Sequence, residues 1–156
     1  MQKLLSEAFY LEMKKLEPKY PTRLALLLPA LHAAQKETSW LSPVILEEIA
    51  KYIGIHPAQV REVASFYTMY NLKPVGKYHL KICTNVACIL RGAEHLVKYC
   101  EKKWNIQCGE TTSDKKFTLM EEECLGACGT APAMMVNDDY YENLSVEQLE
   151  ALIERL

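Results

Sequence analysis

The chain has 156 residues, 49% of them hydrophobic, with 18 Lys and Arg against 20 Asp and Glu and a formal net charge of −2. That length suits one domain or two small ones and buries enough surface to need no metal staple for its core. The near-neutral balance leaves no basic footprint for nucleic acid, no apolar run approaches the ~20 residues of a membrane span, and six cysteines are too few for a disulfide-dense secreted scaffold.

Residues 1–72 read as a small helical bundle. The segment from Met1 to Tyr10 lacks the charged-then-apolar design of a secretion signal and is already helix-like. Leu4, Ala8 and Leu11 recur at helical spacing, as do Leu24, Leu27, Leu28, Leu31 and Ala34. Pro29 interrupts the second pattern and predicts a kink or break, because an interior proline removes a helix hydrogen bond. Ser42-Pro43 supplies an N-cap followed by proline in the first turn. Ile45, Ile49 and Ile53 form that helix's buried stripe and Gly54 stops it. A fourth helix opens at Pro57, with Val60, Val63, Ala64 and Tyr67 on one face.

Asn71-Leu72-Lys73-Pro74-Val75-Gly76 marks a domain boundary, so residues 77–156 are expected to form a second domain. Tyr78 to Cys83 alternates as a strand does. Cys88 to about Trp104 reads as one helix, with Ala93, Leu96, Val97, Cys100 and Trp104 on a single face. A hairpin turning near Ser113-Asp114 leads into a strand from Phe117 to Glu122. Ala133–Asn137 and Tyr140–Asn143 read as two more strands. Ser145 and Gln148 form a capping box for the last helix, with Leu144 placed to staple onto Leu149. The order β-α-β-β-β-α gives an α+β class for the whole chain.

Four cysteines stand in two close pairs, Cys83/Cys88 and Cys124/Cys128. Spacings of this kind let two loops converge soft ligands, and from spacing alone both an iron–sulfur cluster and a structural zinc ion remain open. Gly126, Ala127, Gly129 and Ala131 around the second pair are small, which allows backbone N–H groups to approach cluster sulfurs. A Rieske centre needs two histidine ligands, and His32, His56, His79 and His95 all lie outside both loops. Thiol–disulfide chemistry of the C-x-x-C kind lacks its motif here. Cys100 sits on an apolar helix face and reads as a small hydrophobe. Cys108 is either similar or exposed. Glu121 to Glu123 read as a solvated acidic face.

Ser65-Phe66-Tyr67-Thr68-Met69-Tyr70, Gly76-Lys77-Tyr78, Cys83-Thr84-Asn85-Val86-Ala87-Cys88, Arg91-Gly92-Ala93-Glu94 and Cys124-Leu125-Gly126-Ala127-Cys128 follow one another, then Ala131-Pro132 and Val136-Asn137-Asp138. From roughly Tyr20 onward this order resembles the 24-kDa family of respiratory complex I (NADH:quinone oxidoreductase), the thioredoxin-like [2Fe–2S] ferredoxins. The resemblance implies a helical bundle followed by a thioredoxin-like domain with one [2Fe–2S] cluster, its ligands carried onto Cys83, Cys88, Cys124 and Cys128. It also implies a cis-proline at Pro132, no catalytic residue of the chain's own, and electron exchange with FMN in an NADH-binding flavoprotein subunit. That partner and further subunits of a peripheral arm come from the resemblance alone. The chain itself carries no G-x-G-x-x-G and no P-loop. Similar subunits serve NAD-linked hydrogenases and formate dehydrogenases, and a zinc-stabilised interaction module is the alternative of another class. Neither nucleic acid binding nor membrane insertion is expected. The expected location is the cytoplasm, at the inner face of the membrane, or the mitochondrial matrix for a processed eukaryotic chain. The positive end of a helix opening at Cys88 is expected to favour the reduced cluster, and the acidic run to oppose it.

Overall fold

The computed structural model describes residues 4–156; the expectation for Met1 to Lys3 lies outside them. The chain divides into two compact units, Met1–Pro74 and Val75–Leu156, each with its own hydrophobic core.

In the first unit, α1 (Glu7–Leu16) starts at Ser6, whose hydroxyl accepts the Phe9 N–H. It buries Phe9 and Met13, in line with Leu5 just before it, whereas Leu11, like Leu4 ahead of the helix, is exposed. Both sets have helical spacing, and the larger side chains, Phe9 and Met13, take the core. Pro29 does not kink a helix. A 3₁₀ turn over Arg23–Leu26 precedes α2 (Leu27–Thr38), so Pro29 falls in the first turn, where its missing N–H would have had no intrahelical partner. Ser42 caps α3 (Pro43–Ile53), which buries Ile45, Ile49 and Ile53 and ends at Gly54 with φ +84°. α4 (Pro57–Phe66) buries Val60 and Ala64. Tyr67 has left the helix in an extended conformation and is partly exposed, unlike its expected place on the packed face. Beyond it, Tyr70 is buried and donates to the Leu28 carbonyl, and Gln35 binds Met69 O and Asn71 N. These bonds tie the end of the unit back onto α2.

The second unit is a sheet with helices: β1 (Tyr78–Cys83), α5 (Val86–Leu90), α6 (Ala93–Trp104), β2 (Phe117–Glu122), β3 (Met134–Val136), β4 (Asp139–Tyr141) and α7 (Val146–Arg155). The strand order is β2-β1-β3-β4. β1 and β2 are parallel, as the helical connection between them requires, and the remaining pairs are antiparallel. Leu80, Ile82, Leu119 and Met134 pack with Leu96, Val97 and Cys100 of α6 and Leu149, Leu152 and Ile153 of α7. Each such aliphatic side chain withdrawn from water contributes about 1.5–3 kcal/mol before entropy is counted.

Three boundaries differ from expectation. The helix read from Cys88 to Trp104 is two helices, because Gly92 at φ +96° breaks it. The hairpin before β2 forms, turning over Ser113-Asp114, but its first arm, residues 109–112, is bonded to Phe117 and Leu119 without becoming a strand of its own. β3 and β4 span three residues each.

Candidate metal centre

Cys83 is the last residue of β1. Its N–H donates to the Ala133 carbonyl at 3.0 Å, and the next N–H, of Thr84, donates to Glu122 O at 3.0 Å. The strand end is thereby held from both sides before the chain turns into α5. Asn85 caps that helix, its side-chain oxygen accepting the Val86 N–H at 2.9 Å. Cys88 then points inward and is 2% exposed, while Val86 and Leu90 of the same short helix point outward at 67% and 81%. The second pair lies in the loop after β2, where Cys124 and Cys128 are exposed. Gly126 between them has φ +74°, a conformation that glycine adopts without strain. The loop ends in a 3₁₀ turn, Cys128–Thr130, and a cis Ala131–Pro132 bond. Asn143 N–H to Thr130 O at 2.7 Å fastens it to the segment leading into α7.

The fold brings Cys83 within electrostatic reach of Cys88 and Cys124, and Cys88 within reach of Cys128. The Gly126 N–H donates to Cys124 Sγ at 3.3 Å, and the nearby backbone N–H groups of Asn85 and Leu125 favour the Cys83 thiolate, as that of Ala133 favours the Cys88 thiolate. Burial pushes the Cys83 thiol up, but the N–H and thiol hydrogen bonds outweigh it and hold the group below its ordinary value. Cys88 is pushed up, chiefly by burial and then by its neighbour Cys83, with the Ala133 N–H offsetting part of the effect. Thiolates packed this closely repel one another, so ionising all four requires positive charge among them.

The donor set fits a [2Fe–2S] cluster: four thiols, with amide hydrogens ready for sulfur. Among the described residues no three His, Cys, Asp or Glu side chains form a group that could hold a metal ion. A dinuclear cluster makes a different demand, two thiolates at each of two irons.

The amide donors are not legible in the sequence beyond the smallness of the loop residues. Nor is the role of Tyr140, whose hydroxyl donates to the Leu125 carbonyl at 3.1 Å. The helix-dipole expectation weakens, since Cys88 is the third residue of a five-residue helix rather than the opening of a long one. Cys100 is fully buried among core side chains, and burial pushes its thiol up to about 12. Cys108 is half-buried and is likewise pushed up to about 12, by burial and by Glu121 and Glu101. Of the acidic run, the Glu121 charge helps hold the Cys108 thiol up, and Glu122 pairs in register with Cys83.

Residues 13–156 match the family model described as thioredoxin-like [2Fe-2S] ferredoxin. The E-type subunit of NADH-quinone oxidoreductase from Rickettsia prowazekii (strain Madrid E) is 47% identical over 140 residues, covering 88% of this chain and 79% of the relative. An E-type subunit of the same oxidoreductase from Rhizobium meliloti (strain 1021) is 45% identical over 143 residues, covering 92% and 85%. An NAD+-reducing [NiFe]-hydrogenase, solved in the air-oxidized state, matches with a TM-score of 0.71 at 26% identity, over 80% of this chain and 22% of that one. With a match that runs through both units and relatives this similar, the chain belongs to the thioredoxin-like [2Fe–2S] ferredoxin family.

Proposed function

We propose that the chain is the electron-transfer subunit of an NADH:quinone oxidoreductase, holding one [2Fe–2S] cluster on Cys83, Cys88, Cys124 and Cys128. When bound, such a cluster takes up and releases single electrons, here in exchange with the FMN of an NADH-binding flavoprotein subunit. The observation that carries this reading is four thiols within electrostatic reach of one another, with the Gly126 N–H donating to Cys124 Sγ at 3.3 Å. The oxidoreductase relatives, matched over most of their length, support the choice of complex.

Cys83 and Cys88 anchor the inner side of the site, where burial excludes water. Cys124 and Cys128 form its exposed edge. That edge, flanked by the outward-facing Val86 and Leu90 of α5, is the side on which a partner's flavin can approach. We assign residues 77–156 to holding the cluster and residues 1–72 to docking the flavoprotein, because the second unit completes its own core without the bundle. No helix among the described residues is long and apolar enough to cross a membrane. A place in the peripheral arm, on the cytoplasmic side of the membrane, is part of the same proposal.

A second reading keeps the same site in an NAD-linked hydrogenase, since the hydrogenase neighbour contains this module as 22% of its chain. Affinity purification of the tagged full chain from its native source separates the two. The first reading predicts co-purification of an FMN-containing subunit and NADH-dependent quinone reduction, with no NADH oxidation by the chain alone. Recovery of a nickel–iron subunit instead would move the chain to the second.

A further inference from the structure

We propose that Tyr140 is a positioning residue for the cluster: through one peptide group it strengthens the hydrogen bond that the Cys124 sulfur receives. The proposal rests on Cys83 and Cys124 being ligands, as assigned above.

Tyr140 is the central residue of β4, paired in register with Met135 of β3. Its hydroxyl donates to the Leu125 carbonyl at 3.1 Å, 15 residues back in the chain. That carbonyl and the Gly126 N–H belong to the same peptide group, and the Gly126 N–H donates to Cys124 Sγ at 3.3 Å. The three groups therefore form a relay: phenol O–H to C=O, then N–H of the same amide to sulfur. Polarising a carbonyl makes its own N–H a stronger donor, by about 10–30% per bond in such chains. Leu125's own N–H also favours the Cys83 thiolate. One phenol thus steadies a loop that donates to the Cys124 sulfur and lies beside that of Cys83.

Little else fixes the tip of this loop. Gly126 is exposed, and nothing lies within 4 Å of where its Cβ would stand. The half-buried Leu125 and Ala127 side chains, the Thr130 N–H to the Ala127 carbonyl and the Tyr140 hydroxyl are its attachments. An N–H aimed at a cluster sulfur stabilises the extra negative charge of the reduced state, so a stronger donor raises the potential.

The test compares the full chain with Tyr140→Phe, which keeps the ring and loses the hydroxyl. Iron and sulfide content and the oxidised spectrum should be unchanged. An EPR-monitored redox titration should show the reduction equilibrium shifted about threefold toward the oxidised form, roughly 30 mV lower at 59 mV per tenfold. Hydrogen exchange at the Gly126 and Leu125 amides should be faster in the variant. An intact cluster at an unchanged potential overturns the proposal. Should Tyr140→Phe fail to assemble a cluster, amide exchange in the two cluster-free chains decides: faster exchange in the variant supports the relay, and equal rates overturn it. Failure of the ligand assignment shows separately, as a cluster that survives Cys124→Ala.

Discussion

At the scale of single residues, His79 is the least comfortable group in the second unit. It is 5% exposed on β1, and its Nε2 has no hydrogen-bond partner among the described residues. Burial, with a smaller contribution from Lys81, lowers its pKa to about 4 from 6.5. The folded state therefore favours neutral imidazole. The associated stability is fully present above pH 6.5 and is lost as pH falls from 6.5 through about 4. The shift corresponds to about 3 kcal/mol at most, at 1.36 kcal/mol per unit. Denaturant titrations between pH 7 and pH 4 should show this loss, and His79→Leu should flatten the slope. An equally steep slope in the variant would assign the acid sensitivity to other groups. The sequence places His79 outside both ligand loops, but its unpaired nitrogen depends on neighbours that only the folded sheet supplies. The four cysteines are the opposite case. Their spacing alone marks two loops that can converge, and the fold places their thiols within electrostatic reach of one another. Their amide donors stayed hidden because the direction of an N–H is set by backbone dihedrals. Tyr140 stayed hidden because its bond spans a loop and a hairpin.

At the scale of elements, the punctuation residues were the most legible. Ser42-Pro43, Gly54 and the Ser145/Gln148 capping box each act where they stand, because caps are local. Periodicity was less decisive: in α1 both Leu4/Ala8/Leu11 and Leu5/Phe9/Met13 satisfy it, and only packing selects the second. Gly92 was legible as a residue but not as a break, since a glycine inside a helical pattern costs only ~1 kcal/mol and is often tolerated. Gly76 shows what close approach demands. A Cβ there would stand 2.9 Å from the Phe117 carbonyl carbon and 3.0 Å from the Lys116 carbonyl group. Its own N–H donates to the buried Thr118 hydroxyl, beside the start of the β1–β2 ladder. Gly76→Ala should therefore force the two strands apart at one end and cost about 1–3 kcal/mol, as overpacking does. Gly54→Ala is the comparison. It meets nothing within 4 Å and should cost only the left-handed backbone penalty of about 1–2 kcal/mol. Thermal unfolding of the two variants checks the contrast. A Gly76→Ala chain as stable as the parent would show that the strands yield freely there.

At the scale of the whole molecule, the α+β class and the succession of helices followed by a mixed sheet were legible from patterning and from the family motifs. The sheet order was not, because β3 pairs with β1 across more than fifty residues and no local signal encodes that choice. In functional terms the end of β1 and the short helix α5 present Cys83 and Cys88 to the loop bearing Cys124 and Cys128, with one [2Fe–2S] cluster proposed between them. Iron and acid-labile sulfide per chain in anaerobically prepared protein test that proposal head-on, repeated for alanine at each of the four cysteines and for Cys100→Ser and Cys108→Ser. The parent chain should hold about two irons and two sulfides, as a [2Fe–2S] centre contains. The Cys100 and Cys108 variants should match it, and the other four should lose the normal cluster. One tightly bound zinc without labile sulfide, or a cluster that survives Cys88→Ala but disappears in Cys108→Ser, would contradict the assignment.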